Sequence, residues 1–209
     1  RELAVTLATA AMTATWQPAE AQTQVGGIAV LGASGRTGGE IVKYCVATGR
    51  AIRACSRSGK FDSYSPLITS ITADVTKPET LLTAIEGVET VIFAATAPAF
   101  GKPSDVDYIG LKSTAQACIA ASVPRLVVIS GAGVTKLDSP AYKFLNRFGG
   151  RMDAKLDGEA AVREAYRSAQ PGVTFTIIRP SGHRDADWAE GLPAKGPTAL
   201  EINQGDEVA

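Results

Sequence analysis

"GIAVLGASGRTGGEIVKYC", residues 27–45, is the stretch that decides the fold. Four apolar residues, Ile28 to Leu31, run into glycines at 32, 35 and 38. The chain then continues with Ile41, Val42, Cys45 and Val46 at helical spacing. A buried strand turning sharply into a helix fits this order, and the helix is predicted over 38–48. In such a turn the first glycine permits the bend and the second lets backbone approach a pyrophosphate. The third lets the helix lie close against the strand. The helix N-terminus adds free N–H groups and a partial positive charge. The spacing is G-x-x-G-x-x-G, and loops use glycine freely, so it is the strand before and the helix after that give the pattern its meaning.

Outward from this turn, strand and helix signals alternate. Residues 51–55, 68–72, 88–95, 125–130 and 173–179 read as strands. Helices are predicted from Pro78, which suits a first-turn position, and over 106–121 and 153–168. Strands alternating with helices imply a parallel sheet with right-handed crossovers, and continuous apolar strands fit a sheet covered on both faces. The predicted fold is α/β: a single-domain, Rossmann-type doubly wound parallel sheet with a reduced C-terminal lobe. The 209 residues are 45% hydrophobic with net charge zero, enough for one core and without the basic excess of a nucleic-acid binder. Cys45, Cys55 and Cys118 are far apart in apolar patterns and read as buried thiols. The sole histidine, His183, has no neighbours at metal-ligand spacing, so no metal site is expected.

A site that prefers NAD usually carries Asp or Glu at the end of the second strand, about 20 residues after the turn, to bind the ribose hydroxyls. Here that end reads Ala54-Cys55-Ser56-Arg57-Ser58-Gly59-Lys60, with no acid between Glu40 and Asp62. An acid would repel a 2′-phosphate, whereas Ser56 and Arg57 suit one, with Arg36 a second candidate. The competing reading leaves these arginines as solvated loop cations. The expected ligand is NADP(H), with NADPH favoured over NADH.

Four segments, "VLGASGRTG" (30–38), "ITADVTKPETL" (71–81), "VDYIGLKSTAQACIAASVPRLVVIS" (106–130) and "FTIIRPSG" (175–182), carry a family likeness. In their order the chain resembles the atypical short-chain dehydrogenase/reductases, especially the NmrA-like and plant-type NAD(P)-binding proteins. The latter include the NAD(P)-binding subunit of the chloroplast inner-envelope translocon. The resemblance implies that Gly32, Ser34, Gly35, Arg36, Thr37 and Gly38 form the dinucleotide turn, with Asp74 and Val75 by the adenine. It implies that Ala94, Ala95 and Thr96 line the cofactor after the fourth strand, and that Ser130 lies near the nicotinamide side. "RPSG", with Pro180, matches the loop that closes over the nicotinamide. "SPAYKFLNRFGG" (139–150) resembles a plant-type insertion before the active-site helix.

Reductases of this superfamily usually carry Tyr-x-x-x-Lys on that helix, the tyrosine as acid/base and the lysine on the nicotinamide ribose. Lys155 aligns with the lysine, but Arg151 stands four residues earlier, and arginine does not shuttle protons. Lys155 and Ser130 are therefore the catalytic candidates, Ser130 or a water as an unusual proton donor. The competing reading makes Lys155 and Glu159 a surface i, i+4 pair. Tyr142 lies too far along the chain to substitute by local helix geometry, and Tyr108 would have to approach from the neighbouring helix.

At the N-terminus, "LAVTLATAAMTATWQPA" (3–19) is uncharged and ends near "AEA" (19–21), which reads as a small-residue processing site. As a helix it would span about 25 Å, short of a ~30 Å hydrocarbon core. The expected organisation is an apolar arm (1–24) that is a leader remnant or contacts a partner or membrane, an NAD(P)-binding domain (25–182) and an irregular C-terminal segment (183–209). The functional expectation is a non-catalytic or weakly catalytic NADP(H)-binding subunit of a larger plastid membrane assembly, with protein partners held through the arm and no nucleic acid. The alternatives are an active NADP-dependent reductase or isomerase, or an NmrA-like redox sensor, and a mitochondrial or cytoplasmic location.

Overall fold

Every side chain of β1 (Ile28–Leu31) is buried, as befits a strand paired on both sides and covered on both faces. In the computed structural model, which describes residues 27–62 and 64–180, β1 pairs with β2 (Ile52–Ser56) and, on its other side, β4 (Thr90–Phe93). Strand β3 (Ile68–Thr72) joins β2, while β5 (Arg125–Ile129) joins β4 and β6 (Thr174–Ile178) joins β5. All pairings are parallel, and the order is β3-β2-β1-β4-β5-β6. The chain reverses direction across the sheet between β1 and β4. That switch point opens a crevice at the carboxyl ends of the strands, where such sheets bind ligands. The expected Rossmann-type doubly wound sheet is therefore the observed one.

The elements differ from expectation mainly at their ends. Helix α1 (Arg36–Ala47) begins two residues early because Gly35, in extended conformation, serves as its N-cap. The helix expected from Pro78 is a 3₁₀ turn (Pro78–Thr80) followed by α2 (Leu81–Ile85). The helix expected over 106–121 splits into a π-helical stretch (Ser104–Gly110) and α3 (Leu111–Ala120). The sequence reading placed no helix in 139–150, where α4 (Pro140–Asn146) forms, capped by the Ser139 hydroxyl on the Tyr142 N–H. Helix α5 (Arg151–Arg167) follows directly. The expected arm (1–24), the C-terminal segment (183–209), its candidate strand "TALEIN" (198–203) and Trp188 lie outside the described residues.

Two apolar layers sandwich the sheet. Leu31, Phe93, Leu126 and Val128 meet Leu81, Ile85, Leu111 and Val162 on one face, and Val30 and Ala54 meet Val42 and Cys45 on the other. The three thiols are buried and unbridged, and burial pushes those of Cys55 and Cys118 up to about 12. Helix α5 lies so close to the π-helical stretch that a Cβ on Gly158 would overlap the Asp107 carbonyl oxygen. Gly158→Ala is expected to lower stability by about 1–3 kcal/mol, read as a fall in the urea midpoint. A midpoint equal to the parent's would show that α5 can move away without loss.

Candidate functional site

The glycine turn is held by contacts that only glycine permits. Gly32 has φ +86°, and a Cβ there would stand 2.7 Å from the Ala95 backbone. A Cβ on Gly38 would overlap the Gly32 carbonyl oxygen. The Gly32 and Ala33 N–H groups both donate to the Cys55 carbonyl, at 3.1 and 3.0 Å, and Gly35 N–H donates to the Gly32 carbonyl at 2.9 Å. No side chain caps α1 and its first turn holds no acid. Its leading N–H groups and dipole therefore open toward an anion, with Ser34 exposed beside them and Thr37 half-buried.

The loop after β2 is equally defined. Ser56 is buried; its hydroxyl donates to the Lys60 carbonyl at 3.0 Å and lies 3.3 Å from the Ser58 hydroxyl. Gly59, at φ +67°, packs where a Cβ would collide with the Thr72 hydroxyl. Arg57 in this turn and Arg36 across from it in sequence are exposed, and neither has a hydrogen-bond partner among the described residues. The acid closest to the turn in α1, Glu40, is paired with Lys43 at 2.7 Å.

The remaining expected cofactor residues follow the other strands, on the same carboxyl edge. Asp74 accepts from the Thr76 N–H and hydroxyl at 3.0 and 2.8 Å, while the Val75 side chain is committed to the core beside Gly110. Ala94 N–H donates to the Leu31 carbonyl, which sets Ala95 against Gly32. Ser130 N–H donates to the Ile178 carbonyl and Ala132 N–H to that of Pro180, so the loops after β5 and β6 run side by side.

Two buried carboxylates organise this edge: Asp107, which the sequence reading did not single out, and Glu159, which it placed only in a surface pair. Asp107, on the π-helical stretch, accepts from Lys155 Nζ and the Thr96 hydroxyl through Oδ1, both at 2.8 Å, and from Ala97 N–H through Oδ2 at 3.0 Å. Arg151 donates to the Ala97 and Pro98 carbonyls at 2.8 and 3.2 Å and to the Thr96 hydroxyl at 3.2 Å. Glu159 is fully buried and accepts from Arg179 at 3.0 and 2.6 Å and from Arg163 at 3.0 Å. The surface Lys155–Glu159 pair is thus corrected: this side of α5 faces the π-helical stretch and the end of β6, and each residue has a partner there. Burial raises the Glu159 pKa, but Arg179, the neighbouring Ser130 hydroxyl and Arg163 outweigh it and hold the carboxyl below the ordinary value. The Ser130 hydroxyl is buried and makes no hydrogen bond of good geometry.

Neither Tyr142 nor Tyr108 hydrogen-bonds Lys155 among the described residues. Tyr142 is buried with Val134 and Met152, and its hydroxyl donates to Asp153; burial first, then that carboxylate, pushes the phenol up to about 12. Asn146 Oδ1 accepts from the Met152 and Asp153 N–H groups at 3.1 Å each, so α4 caps the helix that carries Arg151 and Lys155. Tyr108 lines an open groove with Lys112, Asp157 and Glu164 and makes no hydrogen bond to Lys155.

Compared with known proteins, residues 32–203 match a family described as NAD(P)H-binding. A chloroplastic protein of Arabidopsis thaliana is 32% identical over 167 residues, 73% of this chain and 58% of that protein. The decarboxylating sterol-4-alpha-carboxylate 3-dehydrogenase of Bos taurus is 30% identical over 109 residues, 50% of this chain and 30% of the enzyme. The chain thus spans little more than half the length of the first relative and less of the second. Among solved structures, the oxidoreductase ylbE of Lactococcus lactis superposes with TM-score 0.60 at 23% identity, over 73% of this chain and 68% of that one. A short-chain dehydrogenase/reductase superfamily protein of Agrobacterium tumefaciens with bound NAD gives 0.59 at 24%, over 73% and 48%. The Citrobacter sp. triphenylmethane reductase complexed with NADP(H) gives 0.54 at 21%, over the same shares. At these identities the likeness is one of fold.

The buried network carries a pH signature. The Glu159 carboxyl lies below its ordinary 4.5 when folded. Its charge therefore stabilises the fold above that pH, and the contribution is lost as pH falls through the lower, folded value. Glu159→Gln is expected to cost about 3 kcal/mol near neutrality and to flatten the acid limb of the stability curve. Urea midpoints taken from neutral pH down through the carboxylate range measure both. An acid limb as steep as the parent's would assign the acid sensitivity to another carboxylate.

Proposed function

The chain belongs to the NAD(P)H-binding family, with the fold of the atypical short-chain dehydrogenase/reductases, and from that premise we propose that it binds NADP(H) as a non-catalytic or weakly catalytic subunit of a larger assembly. In this reading the N-terminus of α1 and the backbone of residues 32–38 hold the pyrophosphate. Arg57 and Arg36 take the 2′-phosphate, with Ser56 shaping the turn between them. Asp74 and Val75 border the adenine, Ala94 to Thr96 line the dinucleotide, and Pro180 borders the nicotinamide end.

The observation that carries the weak-catalysis reading is the position of Arg151. Where relatives of this fold usually place a tyrosine, a permanently charged guanidinium clamps the carbonyls of Ala97 and Pro98. Lys155 is likewise taken up by Asp107. Bound dinucleotide then stabilises the fold by mass action, independent of turnover. A second reading, an NADP-dependent reductase, is favoured by Ser130. Its hydroxyl is buried near the Glu159 carboxylate just past β5, where it would hold a proton for a substrate oxygen, and a bound NADPH would supply the hydride. The chloroplastic relative supports a plastid location, and the apolar segment 3–19 supports attachment to partners there.

Titration with NADPH and NADH tests the ligand. NADPH is expected to bind more tightly, and Arg57→Ala to weaken NADPH by about tenfold while leaving NADH nearly unchanged. Equal affinities, equally affected, would overturn the NADP preference. Sustained NADPH oxidation with a small carbonyl or quinone acceptor, abolished by Ser130→Ala, would replace the subunit reading with the reductase.

A further inference from the structure

The capping role of α4 accounts for Ser139, Tyr142 and Asn146, which face inward. It does not account for the outward side. Phe144 on α4 and Phe148 in the turn after it are 60% and 55% exposed and meet edge-on at 5.5 Å. Leu145 is also exposed, as is Leu137, which lines a groove with Lys143 and Arg147. Lys143 on α4 and Arg147 at its C-cap line the same groove as a pair of cations, and exposed Lys136 adds a third. The single acid in this segment, Asp138, is offset by Lys143 at 3.8 Å. A second loop joins the patch: Pro103 lies against Gly149, and fully exposed Phe100 with exposed Lys102 precede it.

Solvent alone gives no reason to expose two phenylalanines and two leucines within one short stretch. Aromatic and leucine side chains next to a lysine–arginine pair are the composition of a helix that lies in a membrane interface. Beside the exposed rings runs an open groove lined by Leu137, Lys143 and Arg147, so apolar and cationic groups lie together on this surface. Its cations complement anionic headgroups. We propose that the outward face of α4 and the turn after it (Arg147 and Phe148), extended by Phe100 and Lys102, docks on an anionic lipid bilayer, with the rings at the headgroup boundary. Among the described residues no helix is long and apolar enough to cross a membrane. The loops bearing the patch follow β4 and β5, so docking would turn the carboxyl edge of the sheet, and the candidate site on it, toward the lipid. The inference stands apart from the dinucleotide reading, since none of its residues belongs to that site.

Sedimentation of the full chain with phosphatidylcholine vesicles, with and without roughly a third phosphatidylglycerol, tests it. The segment 3–19 is present in every sample, so lipid affinity it supplies is common to all. The chain is expected to prefer the anionic vesicles. The double variant Phe144→Ser/Phe148→Ser is expected to lose about tenfold in partition coefficient. Lys143→Glu/Arg147→Glu is expected to lose at least about fivefold per residue and most of the salt sensitivity. Both variants should keep the parent's melting temperature and NADPH affinity, which separates lost docking from misfolding. Equal partitioning of parent and variants would overturn the proposal. So would failure of the full chain to bind either vesicle. That is the outcome if a second copy of the chain covers the face, or if residues 183–209, with six acidic and two basic side chains, do so.

Discussion

The Asp107 carboxylate, buried between the π-helical stretch and the loop after β4, holds the candidate site together. Moving a carboxylate out of water is costly unless its oxygens find donors, and here Lys155, the Thr96 hydroxyl and the Ala97 N–H supply them. Those three donors come from α5 and from the β4 loop, so satisfying Asp107 fixes the two against each other. Gly158 makes the geometry possible by letting α5 approach the Asp107 backbone. Ala95, in the loop so fixed, presses on Gly32. The shape of the glycine turn is thus linked, through packed backbone, to a charge pair on the far side of the loop.

Arg151 reinforces this arrangement and changes its chemistry. Its guanidinium holds two carbonyls and a hydroxyl of the β4 loop, a planar fork suited to several acceptors at once. A guanidinium, unlike a phenol, does not give up a proton near neutral pH. The second buried carboxylate, Glu159, anchors the end of β6 through Arg179 and draws Arg163 into the pair. Asn146 and Tyr142 secure the start of α5 from α4. Helix α5 is therefore clamped at its first turn by α4 and the β4 loop, and further along by the π-helical stretch and β6. These clamps make the start of α5 and the β4 loop one well-fixed shelf.

The strands and the glycine turn were legible because their signals are local. Apolar runs such as Ile28–Leu31 leave little alternative to a buried strand, and glycine spacing encodes the bend that follows. Helix α4 escaped notice although Ser139-Pro140 is a cap followed by a first-turn proline, a signal that identifies helix starts. Its short length and the reading of 139–150 as an insertion obscured it. Asp107 and Glu159 were not legible. Their partners lie 48 and 20 residues away, and a charged residue on a helix has, from sequence alone, no reason to be buried. The i, i+4 spacing of Lys155 and Glu159 pointed to a surface pair because spacing records which residues share a helix face, not what that face packs against.

By itself the sequence determined the sheet, its parallel sense and the phosphate-sized turn after β1, since apolar periodicity and glycine act over a few residues. It also determined that no acid lies between Glu40 and Asp62 and that an arginine stands four residues before Lys155. Only the tertiary structure decided that Arg151 serves as a clamp, that Lys155 answers to Asp107, and that Phe144 and Phe148 remain outside the core. Burial of a charge or exposure of a ring depends on what other segments bring to the same place, and that is settled when the chain packs.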